Sequence, residues 1–168
     1  ETRFLVVTSG SGQTRDRAWL EGQVPDGARV FVCDVTSGLP MLGLMGPGSR
    51  ELMARLTGED VSNDAFPFAT SREVGIGYAT VRASRITYVG ELGWELYVPA
   101  ESALHVFERL MAAGESLGLK PAGFYAMNAC RMEKGYRHWG HDIGIEDTPV
   151  EAGLVFTCAW DKPGGFVG

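Results

Sequence analysis

The sequence predicts an α+β fold, with mixed or antiparallel sheets and helices packed against them. Three observations carry this. Leu92, Trp94, Leu96 and Val98 alternate, which is the period of one strand face. Shortly after, Ala103, Val106, Phe107, Leu110 and Met111 recur at helical spacing behind Ser102, a suitable N-cap. Strand-type and helix-type stretches follow one another with hairpin signals and no long linker, which favours α+β over a doubly wound sheet.

In chain order, Phe4 to Thr8 reads as a buried-type strand, and Ser9-Gly10-Ser11-Gly12 as a loop opening a helix over about 13–23. The stretch Ala28 to Val35 is rich in β-branched residues, with Val30, Val32 and Val35 set against Phe31 and Cys33, and predicts a strand. Thr36-Ser37-Gly38 is a turn and Pro40 to Leu44 a short apolar strand. Gly46-Pro47-Gly48-Ser49 opens a helix that runs to about Leu56 and stops at Gly58. That helix start suits either cap chemistry or an anion. Asp60 to Pro67 is turn-rich and irregular. Ser71 to Thr87 returns to a strand pattern, with a hairpin expected at Ala83-Ser84 leading into extended segments over 85–98. The stripe behind Ser102 ends at Gly114 and Gly118, and a second helix is expected from about Pro121, well placed in a first turn, to His138.

The chain has 168 residues, enough to bury a sizeable core. Its 45% hydrophobic and 21% charged content is ordinary for a globular protein, and a net charge of −6 argues against a partner read through nucleic-acid phosphates. The three cysteines, Cys33, Cys130 and Cys158, lack metal-type spacing and cannot all pair. Cys33 and Cys130 lie in apolar runs, where a small buried thiol is expected, so a reducing compartment follows. No apolar run of about 18 residues is present, so no membrane span is expected within these residues, while any targeting signal is expected on the parts of the parent chain beyond them. The chain opens on Glu1, enters the 4–8 segment at once, and closes on Phe166-Val167-Gly168 after a Lys162-Pro163-Gly164-Gly165 turn. Residues 1–168 are therefore expected to be part of one module in a parent chain that extends at both ends.

The chemistry concentrates at Arg85 to Pro99. Glu91, Glu95 and Tyr97 fall on the strand face opposite Trp94, and Gly93 is expected to leave open space between Glu91 and Glu95. A carboxylate beside such a gap suits a flat ring with adjacent N–H donors, which two charge-assisted hydrogen bonds orient and identify. The competing explanation of Glu91 is a solvated edge-strand residue. Trp94 shares its face with Leu92 and Leu96, so core packing accounts for it. On the second helix Glu133 and Arg137 stand four apart, the spacing of a surface ion pair. His138, His141 and Asp142 lack a further ligand, so no metal is assigned there; helix termination and hydrogen bonding to loop backbone account for Gly140-His141-Asp142. A strained Gly-x-Ser-x-Gly elbow is absent, and so is a Gly-x-Gly-x-x-Gly after a strand, so neither serine nucleophile chemistry nor flavin binding by this segment is indicated.

Three separated runs carry a resemblance: Tyr88-Val89-Gly90-Glu91-Leu92-Gly93-Trp94-Glu95-Leu96-Tyr97, Arg131-Met132-Glu133-Lys134-Gly135-Tyr136-Arg137-His138-Trp139, and Thr148-Pro149-Val150-Glu151-Ala152-Gly153-Leu154. Together they resemble the folate-binding aminomethyltransferase family of the glycine cleavage T-protein, most closely the C-terminal region of sarcosine and dimethylglycine dehydrogenases. The resemblance runs from about Phe4 to Gly168. It implies a T-protein-like folate-binding fold in which Glu91 contacts the pterin of tetrahydrofolate; Tyr88, three residues before it, is then expected either to stack on or edge the ring or to be an ordinary strand aromatic. It further implies FAD in a separate domain of the parent, an N-methyl amine substrate, and transfer of its one-carbon unit to give 5,10-methylenetetrahydrofolate.

The same resemblance places an acidic catalytic residue upstream of this chain, so the isolated segment is expected to be inactive. Where T-proteins carry an arginine early in the second helix, this chain has Met127 in Ala126-Met127-Asn128-Ala129. That departure agrees with the dehydrogenase branch and leaves recognition of the folate's glutamyl tail open. A bacterial cytoplasm or the mitochondrial matrix is the implied location. Two alternatives stand beside this: a stand-alone glycine cleavage aminomethyltransferase, and a non-catalytic regulatory or scaffold protein of the same fold, resembling the regulatory subunit of pyruvate dehydrogenase phosphatase.

Overall fold

A computed structural model describes residues 3–166. The expected opening at Glu1 and close at Val167-Gly168 lie outside the described residues. Helix α1 (Gln13–Gly22) is followed by strand β1 (Met41–Met45), helix α2 (Ser49–Thr57), strands β2 (Ser71–Ile76), β3 (Ala79–Ser84) and β4 (Gly93–Tyr97), and helices α3 (Ala103–Gly114) and α4 (Phe124–Glu133). The strands form one antiparallel sheet in the order β1-β4-β3-β2. This is the α+β class expected from the sequence.

The alternation over 92–98 is realised as a core face. Trp94, Leu96 and Val98 are completely buried, and Leu92 packs at the edge of the same cluster. Trp94 meets Phe66 edge-on, with ring centroids 6.0 Å apart, while the guanidinium groups of Arg50 and Arg85 stand over its ring at 5.7 and 5.9 Å. The opposite face holds Glu95 and Tyr97, whose hydroxyl donates to Glu95 Oε2 at 2.5 Å. Burial and this carboxylate push the Tyr97 phenol above its ordinary range.

Leu52, Met53 and Leu56 of α2 and Val106 and Leu110 of α3 cover the core side of the sheet. Gly58 closes α2 in the left-handed region at φ 66°, donating to the Ala54 carbonyl, as its position predicts. Ser102 stands at the N-cap of α3 but makes no side-chain cap bond; a 3₁₀ turn over Ala100–Ser102 precedes it. Phe107, on the edge of the expected stripe, is left exposed.

Four expectations are corrected. The β-hairpin turns at Gly77-Tyr78, with Ile76 opposite Ala79 and Gly77 at φ 61°, so Ala83 and Ser84 lie inside β3. Two-residue hairpin turns need a positive φ that a glycine supplies. Residues 4–8 and 28–35 form no strand, and Phe4, Val6, Val7, Val30 and Phe31 are exposed. Their composition is β-type, yet no partner strand among the described residues completes their ladder. Cys33 and Cys130 are exposed rather than buried, the first because it rides on the unpaired 28–35 segment. Helix α4 is shorter at both ends than the expected 121–138, starting after Gly123 and stopping before Gly135, which takes φ 70°.

Candidate functional site

Residues 85–92 join β3 to β4 as an irregular loop, in place of the first extended segment expected there. It is pinned at both ends. At its start Arg85 donates its N–H to Thr70 and accepts from Ala69, each at 2.9 Å, and its guanidinium reaches the Phe66 carbonyl at 2.6 Å and Asn63 Oδ1 at 2.7 Å. At its end the Leu92 carbonyl accepts from Gly46 N at 2.8 Å and from the Ser49 hydroxyl at 3.0 Å. Ser49 is therefore spent on the loop. It makes no side-chain cap, and the anion expectation at Gly46–Ser49 gains no observation in its favour.

The space beside Gly93 is closed, contrary to expectation. A side chain there would strike the Leu44 carbonyl and Met45 on the neighbouring strand. This glycine serves close strand approach, not ligand access. What remains open is Glu91 itself. Its side chain is 47% exposed, accepts no hydrogen bond among the described residues, and faces the Lys134 ammonium at 4.0 Å. Tyr88 is half-buried and donates its hydroxyl to the Arg137 carbonyl at 3.4 Å. The two sequence-predicted residues thus share one loop that abuts the end of α4.

That end is built around Arg131, only 2% exposed. Its Nε donates to Asn128 Oδ1 at 2.7 Å and one terminal nitrogen to the Tyr136 carbonyl at 3.0 Å and to Asp142, while the other finds no partner among the described residues. Asp142 also accepts from His138 N at 2.9 Å and His141 Nδ1 at 3.1 Å. The His138 N–H first, and then the Arg131 guanidinium, hold the Asp142 carboxyl down at about 2. The loop-bonding role expected of Asp142 is met in this way. His138 and His141 stack with centroids 5.6 Å apart, and no group of three His, Cys, Asp or Glu side chains is arranged to hold a metal ion among the described residues.

The expected Glu133–Arg137 pair does not form. The helix ends between the two residues, and Arg137 donates instead to the Gly135 carbonyl. Met127 is half-buried on α4. Two shallow clefts flank α1, one beside Gln13, Arg17 and Asp34 and one beside Val6, Asp16 and Trp19; neither is lined by Tyr88 or Glu91. Arg131 and Lys134 are the residues whose parts here the sequence did not disclose. Both were legible only as members of a charge cluster. Lys134 meets Glu91, distant in sequence, whereas Arg131 is held by the nearby Asn128, Tyr136 and Asp142.

Residues 1–162 match the GCVT N-terminal domain. This chain belongs to the GCVT N-terminal domain family. Among relatives, it is 46% identical over 166 residues to a 4-methylaminobutanoate oxidase (formaldehyde-forming) of Paenarthrobacter nicotinovorans, covering 99% of this chain and 20% of the relative. It is 38% identical to the mitochondrial dimethylglycine dehydrogenase of Homo sapiens, covering 98% of this chain and 19% of that protein. An aminomethyltransferase of Caldanaerobacter subterraneus subsp. tengcongensis is 34% identical, with 98% of this chain and 43% of the relative covered. The GCVT chain thus spans about a fifth of the length of the first two relatives. It is homologous to the aminomethyltransferase-type modules of methylamine dehydrogenases, as the three motif runs indicated. These relatives are bacterial and mitochondrial, and no described helix is long and apolar enough to cross a membrane.

Proposed function

We propose that this GCVT chain is part of a tetrahydrofolate-binding module, in a parent flavoprotein that acts on an N-methyl amine in a bacterial cytoplasm or the mitochondrial matrix. Glu91 holds the pterin and Tyr88 lines it. The observation that carries this is the state of Glu91: a half-exposed carboxylate with both oxygens free of hydrogen bonds among the described residues, on a loop anchored at each end. A 2-amino-4-oxo pyrimidine edge offers a ring N–H and an exocyclic NH2 side by side, and a free carboxylate accepts from both. Tyr88 keeps its hydroxyl on the Arg137 carbonyl, which leaves the ring as the part able to meet a ligand. The residues present therefore fit the group.

When bound, tetrahydrofolate supplies the nitrogen nucleophiles that take up the one-carbon unit as 5,10-methylenetetrahydrofolate, with FAD in a separate domain as the oxidant. This chain's own work is orientation and exclusion of water, which lowers the entropic barrier and keeps the reactive carbon from hydrolysis. Its homology to dimethylglycine dehydrogenase and to an aminomethyltransferase supports the assignment.

One observation favours a second reading. The 46% identical relative is a formaldehyde-forming oxidase, which suggests a module that lets the one-carbon unit go to water. Turnover of the full-length protein on N-methyl amines with tetrahydrofolate present separates the two. Capture predicts 5,10-methylenetetrahydrofolate with little formaldehyde. Formaldehyde in full yield, unaffected by tetrahydrofolate, contradicts it.

A further inference from the structure

We infer that Lys134 is the resident counter-charge of Glu91, occupying the carboxylate before a ligand arrives, yielding it to the ligand's donors, and so setting the ligand's affinity by competition. This rests on the assignment of Glu91 as the ligand-binding carboxylate. Gly90, next to Glu91, lies in the left-handed region at φ 73°. A Cβ at Gly90 would fall on Lys134 Cγ and come within 2.8 Å of Lys134 Cβ and Cδ. The lysine stem therefore crosses bare backbone, and any side chain at position 90 would block its path. Glycine is required here twice over, for its φ and for the seat it leaves to Lys134.

The path ends with the ammonium 4.0 Å from Glu91 Oε1, each side chain 47% exposed. Such a pair is long and screened by solvent, so it orients the carboxylate without holding it strongly. Two short charge-assisted hydrogen bonds from a ring edge outcompete it. The backbone beneath Lys134 is fixed. Lys134 is the C-cap of α4, buried Arg131 ties the turn to Asn128, Tyr136 and Asp142, and Gly135 ends the helix at φ 70°. Rotation of the lysine side chain alone is then enough to release Glu91. A residue that orients the carboxylate in this way also competes with the ligand for it.

The test is anaerobic calorimetry of tetrahydrofolate binding to the full-length protein. Lys134→Met keeps the stem over Gly90 and removes the charge; it is expected to bind about two- to fivefold tighter. Lys134→Arg keeps the competing charge and is expected to match wild type. In a Glu91→Gln background, Lys134→Met is expected to change nothing, since it acts only through Glu91. Weaker or unchanged binding by Lys134→Met overturns the inference, as does a gain that persists without Glu91. Wild-type affinity in Glu91→Gln alone would instead remove the ligand-binding role of Glu91, a distinct outcome.

Discussion

The sheet with α2 and α3, over 41–119, and the segments that flank it, over 3–39 and 120–166, treat apolar residues in opposite ways. In the first region Trp94, Leu96 and Val106 are fully buried. In the second, Phe31, Tyr125 and Phe156 are 93%, 88% and 83% exposed. Hydrophobic content does not separate the two; pairing does. Each buried strand residue of the first region sits in a ladder whose partner is a neighbouring strand, whereas the β-type stretches 4–8 and 28–35 have no partner strand among the described residues. Glu91 stands at the seam. Its loop grows out of the packed region, and the residues that meet it, Lys134 and Arg137, come from the open one.

The contrast is easiest to break in the core. Trp94→Ala is expected to cost about 3–5 kcal/mol by chemical denaturation, because the cavity is walled by Phe66 and the sheet. Phe31→Ser should stay within about 0.5 kcal/mol. Equal costs at the two positions would show that the flanking segment packs as tightly as the sheet.

At the seam, Arg131→Met is expected to destabilise by about 2–3 kcal/mol, since it strips donors from Asn128, the Tyr136 carbonyl and Asp142. The same denaturation measurement checks it, and a neutral variant would mean that the turn after α4 does not depend on this side chain. Asp142 adds a pH dependence of known sign. Its folded carboxyl is held at about 2, below its unfolded value, so its contribution is present above about pH 4 and is lost as pH falls toward 2. Asp142→Asn should flatten the stability profile in that window; an unaltered profile would place the titration elsewhere.

At the site itself the effect of Tyr88→Phe on stability is small. The bond to the Arg137 carbonyl is long at 3.4 Å, so its loss should cost no more than about 1 kcal/mol. Thermal unfolding reads this directly.

What the sequence disclosed and what it hid divide along the same line. The alternation of Trp94, Leu96 and Val98, the stop of α2 at Gly58 and the burial of Val106 and Leu110 were legible because period and cap chemistry are local. The segments 4–8 and 28–35 misled because β composition says nothing of a partner. Gly93 misled for a related reason: a strand glycine marks a close approach without telling whether a ligand or a backbone makes it, and here it is Leu44. The roles proposed for Glu91 and Tyr88 come from their motif. The crossing of Lys134 over Gly90 was not legible, since it depends on how α4 docks against a loop distant in sequence. Nor was the burial of Arg131, since it depends on how the turn after α4 folds back on the helix.

The central claim is the clamp at Glu91, and calorimetry of tetrahydrofolate binding to the full-length protein, wild type against Glu91→Gln under anaerobic conditions, tests it most directly. The substitution keeps the shape but removes the charge and one acceptor, an expected cost of about 1.5–3 kcal/mol, or roughly 10- to 100-fold in affinity. A loss of that size is the predicted result. A change below about threefold would contradict the account and return Glu91 to the role of a solvated loop residue.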